Sequence, residues 1–165
     1  MNSLKILFFL TVFLLGDHSR DDCTTFYLIR HAEKVRDDKS ESNPDLNKKG
    51  FLRAQNWKNY FSDKEISRIY STNYKRTLKT VYPLAIENGI KTVIYSASNI
   101  IYDDFIKLNT GENTLIVGHS NTIPGFVNNL INDEYYDQIE DFNNSNLYVV
   151  SMCSSKITHK LIQVE

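Results

Sequence analysis

The stretch TTFYLIRHAEK, residues 24–34, decides how the chain is read. Phe26, Tyr27, Leu28 and Ile29 are strand formers, and the run then breaks into Arg30, His31 and Glu33. A buried strand tolerates charge only where something offsets the cost of desolvation. A guanidinium and an imidazole placed where such a strand stops mark the edge at which an α/β protein usually does its chemistry.

Working outward, the pattern alternates. SESNPDLNKKG (40–50) is polar and turn-rich, with Pro44 imposing an extended approach and Asn47 suited to cap a helix. FLRAQNWKNYF (51–61) spaces Phe51, Ala54, Trp57 and Phe61 as one buried helical face. ISRIYS (66–71) is a short strand. RTLKTVYPLAIENG (76–89) is helical through Leu78, Val81 and Ala85, and Gly89 ends it; Pro83 implies either a kink or a late start. KTVIYS (91–96) and NTLIVG (113–118) read as strands, with SNIIYDDFIKLNTG (98–111) a helix between them. NTIPGFVNNLIND (121–133) is a helix with Pro124 in its first turn, and SNLYVVSM (145–152) and ITHKLIQV (157–164) form a closing strand pair. The expected fold is α/β: a three-layer α/β/α sandwich around a mostly parallel, doubly wound sheet.

The 165 residues fit one domain, assigned to 24–165. A net charge of −1 excludes the basic excess that nucleic acid or an anionic membrane surface would call for. Any anion site must therefore be local. Residues 1–20 are set apart: Lys5, the apolar run Ile6–Leu15 and Gly16 match a secretory signal, too short for a comfortable transmembrane helix. The expectation is export, periplasmic or secreted, without a stable membrane anchor; an uncleaved interfacial anchor is the alternative. Cys23 and Cys153 could form one bridge in an oxidising compartment, yet their spacing matches no metal motif and two unbridged thiols are the favoured expectation.

Ligands of such sheets bind beyond the carboxyl ends of the strands. Arg30 and His31 follow the first strand, Arg76 follows the second, and His119 follows the fourth. Taken singly, each has a plain structural reading: a charged strand end, a solvated helix start, a hydrogen-bonded core histidine. Taken together, they suggest phosphoryl transfer. Guanidinium groups pair bidentately with phosphate oxygens, and a neutral imidazole can act as nucleophile.

LIRHAEK (28–34), STNYKRTLKT (71–80) and LIVGHSNT (115–122), in that order, resemble the histidine phosphatase superfamily, also called phosphoglycerate mutase-like, as a small bacterial RHAEK-type member; DLNKKG (45–50) resembles its turn into the first helix. The resemblance implies that His31 becomes phosphohistidine while Arg30, Arg76 and His119 bind the phosphoryl oxygens, with no metal or cofactor. It implies a hydrolase acting on a phosphorylated small molecule or phosphoprotein. A non-catalytic phosphate-binding module and a phosphomutase are the alternatives. Two departures matter. Ala32 stands where the familiar signature has glycine, and Ser120 and Asn121 follow His119 where acid phosphatases of the family carry aspartate. Glu33, Asp103 and Asp104 remain as candidates for the leaving-group acid, and the loop VRDDKSESN (35–43) and the stretch around Tyr102 are the expected selectivity elements. The sequence leaves the oligomeric state open.

Overall fold

The computed structural model describes residues 23–165; the predicted export segment, 1–20, lies outside the described residues. The sheet is built from β1 (Thr24–Arg30), β2 (Arg68–Ser71), β3 (Thr92–Ile94), β4 (Asn113–Gly118), β5 (Asn146–Cys153) and β6 (Lys156–Gln163). Its order is β3-β2-β4-β1-β5-β6. The pairings β3–β2, β2–β4 and β4–β1 are parallel, while β5 and β6 add antiparallel to one flank. The helices are α1 (Lys48–Phe61), α2 (Lys75–Asn88), α3 (Tyr102–Leu108) and α4 (Ile123–Ile131). The predicted α/β sandwich is thus the observed one.

Alternation along β1 divides the core. Ile29 joins Trp57, Phe61, Val81 and Leu84 under α1 and α2. Phe26 and Leu28 join Phe126, Val127 and Leu130 under α4. A strand whose side chains point in turn to two helical layers must be apolar throughout, which is why FYLI reads as a continuous run. The charge of Arg30 falls where that double covering stops.

Three local expectations change. The inward face of α1 is Gly50, Ala54, Trp57 and Phe61, whereas Phe51 is 48% exposed. A Cβ on Gly50 would lie 2.1 Å from the Glu33 carbonyl oxygen, so the helix needs a residue without a side chain where it crosses the chain leaving β1. A glycine carries no hydrophobic signal, and its apolar neighbour is taken for the core residue. Helix α2 starts at Lys75 and runs through Pro83, which removes the late start; Leu78 is only half-buried, and Thr77, Thr80 and Leu84 share the inner face with Val81 and Ala85. Gly89 caps it in the left-handed conformation, φ 65°, as its type predicts.

The third correction concerns the cysteines, which are bridged rather than free: Cys23 and Cys153 form a disulfide with Cα atoms 4.3 Å apart. Thr24 pairs with Met152 in the antiparallel β1–β5 ladder, so the next step of that register sets Cys23 opposite Cys153. Register is a tertiary property, and the spacing of two cysteines does not contain it.

Candidate active site

Strand β1 ends by delivering Arg30 and His31 to the rim of the sheet. The His31 amide donates to the Gly118 carbonyl at 2.9 Å, extending the β1–β4 ladder by one residue, and the Ala32 amide donates to Thr80 Oγ1 at 2.8 Å. The Asn144 amide group donates to the His31 carbonyl at 2.8 Å. Asn47 does two jobs: its Oδ1 caps α1 by accepting from the Gly50 amide at 2.9 Å, and its Nδ2 donates to the Lys34 carbonyl at 3.1 Å. The backbone around His31 is therefore tied to β4, α2, α1 and the segment before β5. On the β4 side Gly118 leaves room for Tyr95 and Thr122, since a Cβ there would meet the Tyr95 hydroxyl at 2.8 Å and Thr122 Oγ1 at 3.0 Å.

The four predicted residues do converge. Arg30, His31, Arg76 and His119 line one open cavity of about 1040 Å³, with Thr72, Tyr74, Lys34 and Asp141 around them. The two imidazole rings lie 5.5 Å apart. His31 is 4% exposed, and its Nδ1 lies 2.7 Å from the Ala32 carbonyl oxygen. A carbonyl only accepts, so Nδ1 carries the proton and Nε2 keeps the lone pair. Burial, reinforced by Arg30, His119 and Arg76 against the opposing pull of the Ala32 carbonyl, pushes the His31 pKa down to about 3. Burial and the cations Arg76, Arg30 and Lys34 push His119 down to about 4. Both rings are neutral at pH 7. Thr72 Oγ1 holds His119 at Nε2, 3.0 Å away.

The arginines differ. Arg30 is 3% exposed, and its Nη1 donates to the carbonyls of Glu140, Asp141 and Asn143 at 2.7–3.0 Å. Nη2 gives one bond to Asp141 Oδ1 at 3.1 Å. A guanidinium has five N–H donors, so Nε and one Nη2 hydrogen remain, and Nε is buried without a partner. Arg76 Nε and Nη1 are likewise buried and unpartnered. Burial lowers the pKa of both guanidiniums from their usual range, yet at neutral pH each stays charged. Buried donors left unpaired are costly, and here both guanidiniums that carry them line the same cavity. The arrangement suits a tetrahedral oxyanion.

None of the three carboxylates considered as acids lines the cavity. Glu33 accepts from Arg53 Nε through both oxygens at 2.9 Å, facing α1 instead. Asp103 and Asp104 are exposed in the first turn of α3. The carboxylate that does line the cavity is Asp141, which bridges Arg30 and Arg36. Arg36 first, and then Arg30, hold it below the usual carboxylate range, so it stays ionised. The walls also differ from expectation: Ile94–Ser98 and Ser120–Thr122 form them, whereas Tyr102 packs edge-on against Phe126 in the core, and of the chain after β1 Lys34 reaches the cavity rather than 35–43. Asp141 and Asn144 have no local signal in the sequence, whereas Thr72 and Tyr74 lie within STNYKRTLKT (71–80), a stretch read only for Arg76. Among the described residues no group of three or more His, Cys, Asp or Glu side chains is placed to hold a metal ion.

Residues 26–97 match the family model described as the histidine phosphatase superfamily (branch 1). No curated protein matches the chain. Among solved structures, the protein histidine phosphatase SixA complexed with tungstate is similar at 14% identity and a TM-score of 0.64, over 84% of this chain and 96% of that one. Bacillus stearothermophilus YhfR is similar at 13% identity and a TM-score of 0.66, over 82% and 94% of the two chains. The alpha-ribazole phosphatase from Shigella flexneri is similar at 13% identity and a TM-score of 0.64, over 84% and 96%. At these identities the likeness is one of fold.

Proposed function

We propose, for a chain with the fold and the strand-end motifs of the histidine phosphatase superfamily, a phosphatase that works through a covalent phosphohistidine on His31. One observation carries the reading: Arg30 and Arg76, each with buried donors left unpartnered, line the same cavity as an imidazole whose Nδ1 proton is held by a backbone carbonyl. Nε2 then has the lone pair that attacks phosphorus. As the N–P bond forms, the bond from phosphorus to the leaving group breaks. The guanidinium donors and His119 bind the three equatorial oxygens, where charge concentrates. Water then attacks the phosphohistidine, inorganic phosphate departs, and the electron pair returns to Nε2.

The leaving group follows from the charge of Asp141. General acid catalysis is worth about 10²–10⁴-fold, and an ionised carboxylate cannot supply it. The chemistry favours a group that leaves without a carboxylic acid's help, such as a phenolate or the imidazole of a protein phosphohistidine. The similar fold of a protein histidine phosphatase, solved with an oxyanion, supports the same substrate class. Export fits the disulfide, because such bonds persist in oxidising compartments.

The test is phosphate release from an aryl phosphate and from a phosphohistidine protein, with EDTA present, by wild type and H31A. Activity in wild type, with none above background in H31A, and acid-labile phosphate trapped on His31, are expected. Tight phosphate binding without turnover by the wild type would replace the enzyme with a binding module.

A further inference from the structure

We infer that Tyr74 is the positioning residue for the phosphate-binding arginine, a role that rests on the oxyanion reading of the cavity. The side chain is 41% exposed at the N-cap of α2, in extended conformation, and makes no capping hydrogen bond. Its ring lies instead against the guanidinium of Arg76, whose central carbon is 4.3 Å from the ring centroid. The same ring meets His119 edge-on at 5.0 Å. Tyr74 therefore touches two of the four groups that converge on the cavity.

The choice of an aromatic partner has a physical reason. A guanidinium makes its hydrogen bonds in its own plane, whereas a ring attracts it from above or below through the quadrupole. A carboxylate at this position would fill the very N–H groups that a phosphoryl oxygen needs. The ring restrains the cation and leaves those hydrogens free, and Arg76 Nε and Nη1 are indeed without partners. Arg30 shows the contrast, with most of its donors committed to the segment 140–143. The backbone fixes the ring's origin: the Tyr74 amide donates to the Thr72 carbonyl at 2.9 Å, and the Tyr74 carbonyl accepts from the Leu78 amide at 3.0 Å. Thr72, which holds His119, and Tyr74, which flanks it, thus come from the same short turn after β2.

The experiment compares wild type, Y74L and Y74F by calorimetric titration with inorganic phosphate and by initial rates on an aryl phosphate. Losing a partly desolvated cation–π contact should weaken phosphate binding in Y74L about 10- to 30-fold, with KM rising in parallel. Phenylalanine keeps the ring, so Y74F should recover most of that loss; Y74M serves in place of Y74L if the latter does not fold. Phosphate affinity in Y74L equal to wild type, or Y74F as weak as Y74L, overturns the role. Wild-type protein that binds phosphate without turnover defeats the phosphatase reading while the binding comparison still decides Tyr74. Wild-type protein that binds no phosphate defeats both.

Discussion

Reducing the Cys23–Cys153 bond should destabilise the fold strongly and leave the cavity intact. The bond closes a loop with a sequence separation of 130, almost the whole described chain. In the chain-entropy account such a crosslink removes freedom from the unfolded ensemble worth about 5 kcal/mol. With a urea dependence of about 2 kcal/mol per molar for a domain of this size, the unfolding midpoint should fall by roughly 2.5 M on reduction. The cavity residues Arg30 and His31 lie at the opposite end of β1. Eight residues at about 3.3 Å each put roughly 25 Å between Cys23 and His31, so phosphate affinity in the still-folded reduced protein should match that of the oxidised form. The assay is urea unfolding with and without reductant, with thiols counted at each point and C23S as the permanently open variant. A midpoint shift below about 0.5 M would refute the loop-closure reasoning. Two reactive thiols in the unreduced, unfolded protein would show that the bond does not form.

Further outcomes follow from the same geometry. His31 and His119 are held down to about 3 and about 4 in the folded protein, so between those values and about 6.5 the unfolded chain binds more protons. Stability should therefore fall on acidification through that window, by up to about 1.4 kcal/mol per pH unit for each ring; unfolding midpoints unchanged between pH 7 and 5 would contradict it. N47A removes the α1 cap and the tie to Lys34 together, and should cost about 1 kcal/mol in urea unfolding while lowering turnover. G50A forces a Cβ against the Glu33 carbonyl, and should destabilise by about 1–3 kcal/mol with activity falling as well; wild-type activity would show that α1 can shift freely. D141N removes a negative charge from the cavity wall while the three carbonyls still grip Arg30, so inhibition by phosphate at low salt should become severalfold tighter.

What the sequence discloses and what it conceals divide along a physical line. Arg30, His31, Arg76 and His119 each stand in a local context, a strand end or a helix start, that the pattern of apolar residues exposes. The strand order then brings them together without further instruction. Asp141 and Asn144 act through contacts that exist only after the chain returns, and their neighbours along the chain say nothing of those contacts; Tyr74 stands two residues from Arg76, and only its meeting with His119 waits on the strand order. Glu33 misleads for the opposite reason: its nearness to His31 in the chain suggests chemistry, yet beyond the end of β1 its carboxylate pairs with Arg53. Gly50 and the disulfide fail to show for want of a Cβ signal in one case and of register in the other.

The grip of Arg30 on the chain before β5 uses the main-chain oxygens of Glu140, Asp141 and Asn143. Every amino acid brings the same oxygen, so the clamp is blind to what is written at 140, whereas Asn143 also holds its own turn by accepting from Ser145. The position of Asp141 on the cavity wall is therefore held by main-chain atoms, and replacing the exposed side chain at 140 should leave that wall where it is.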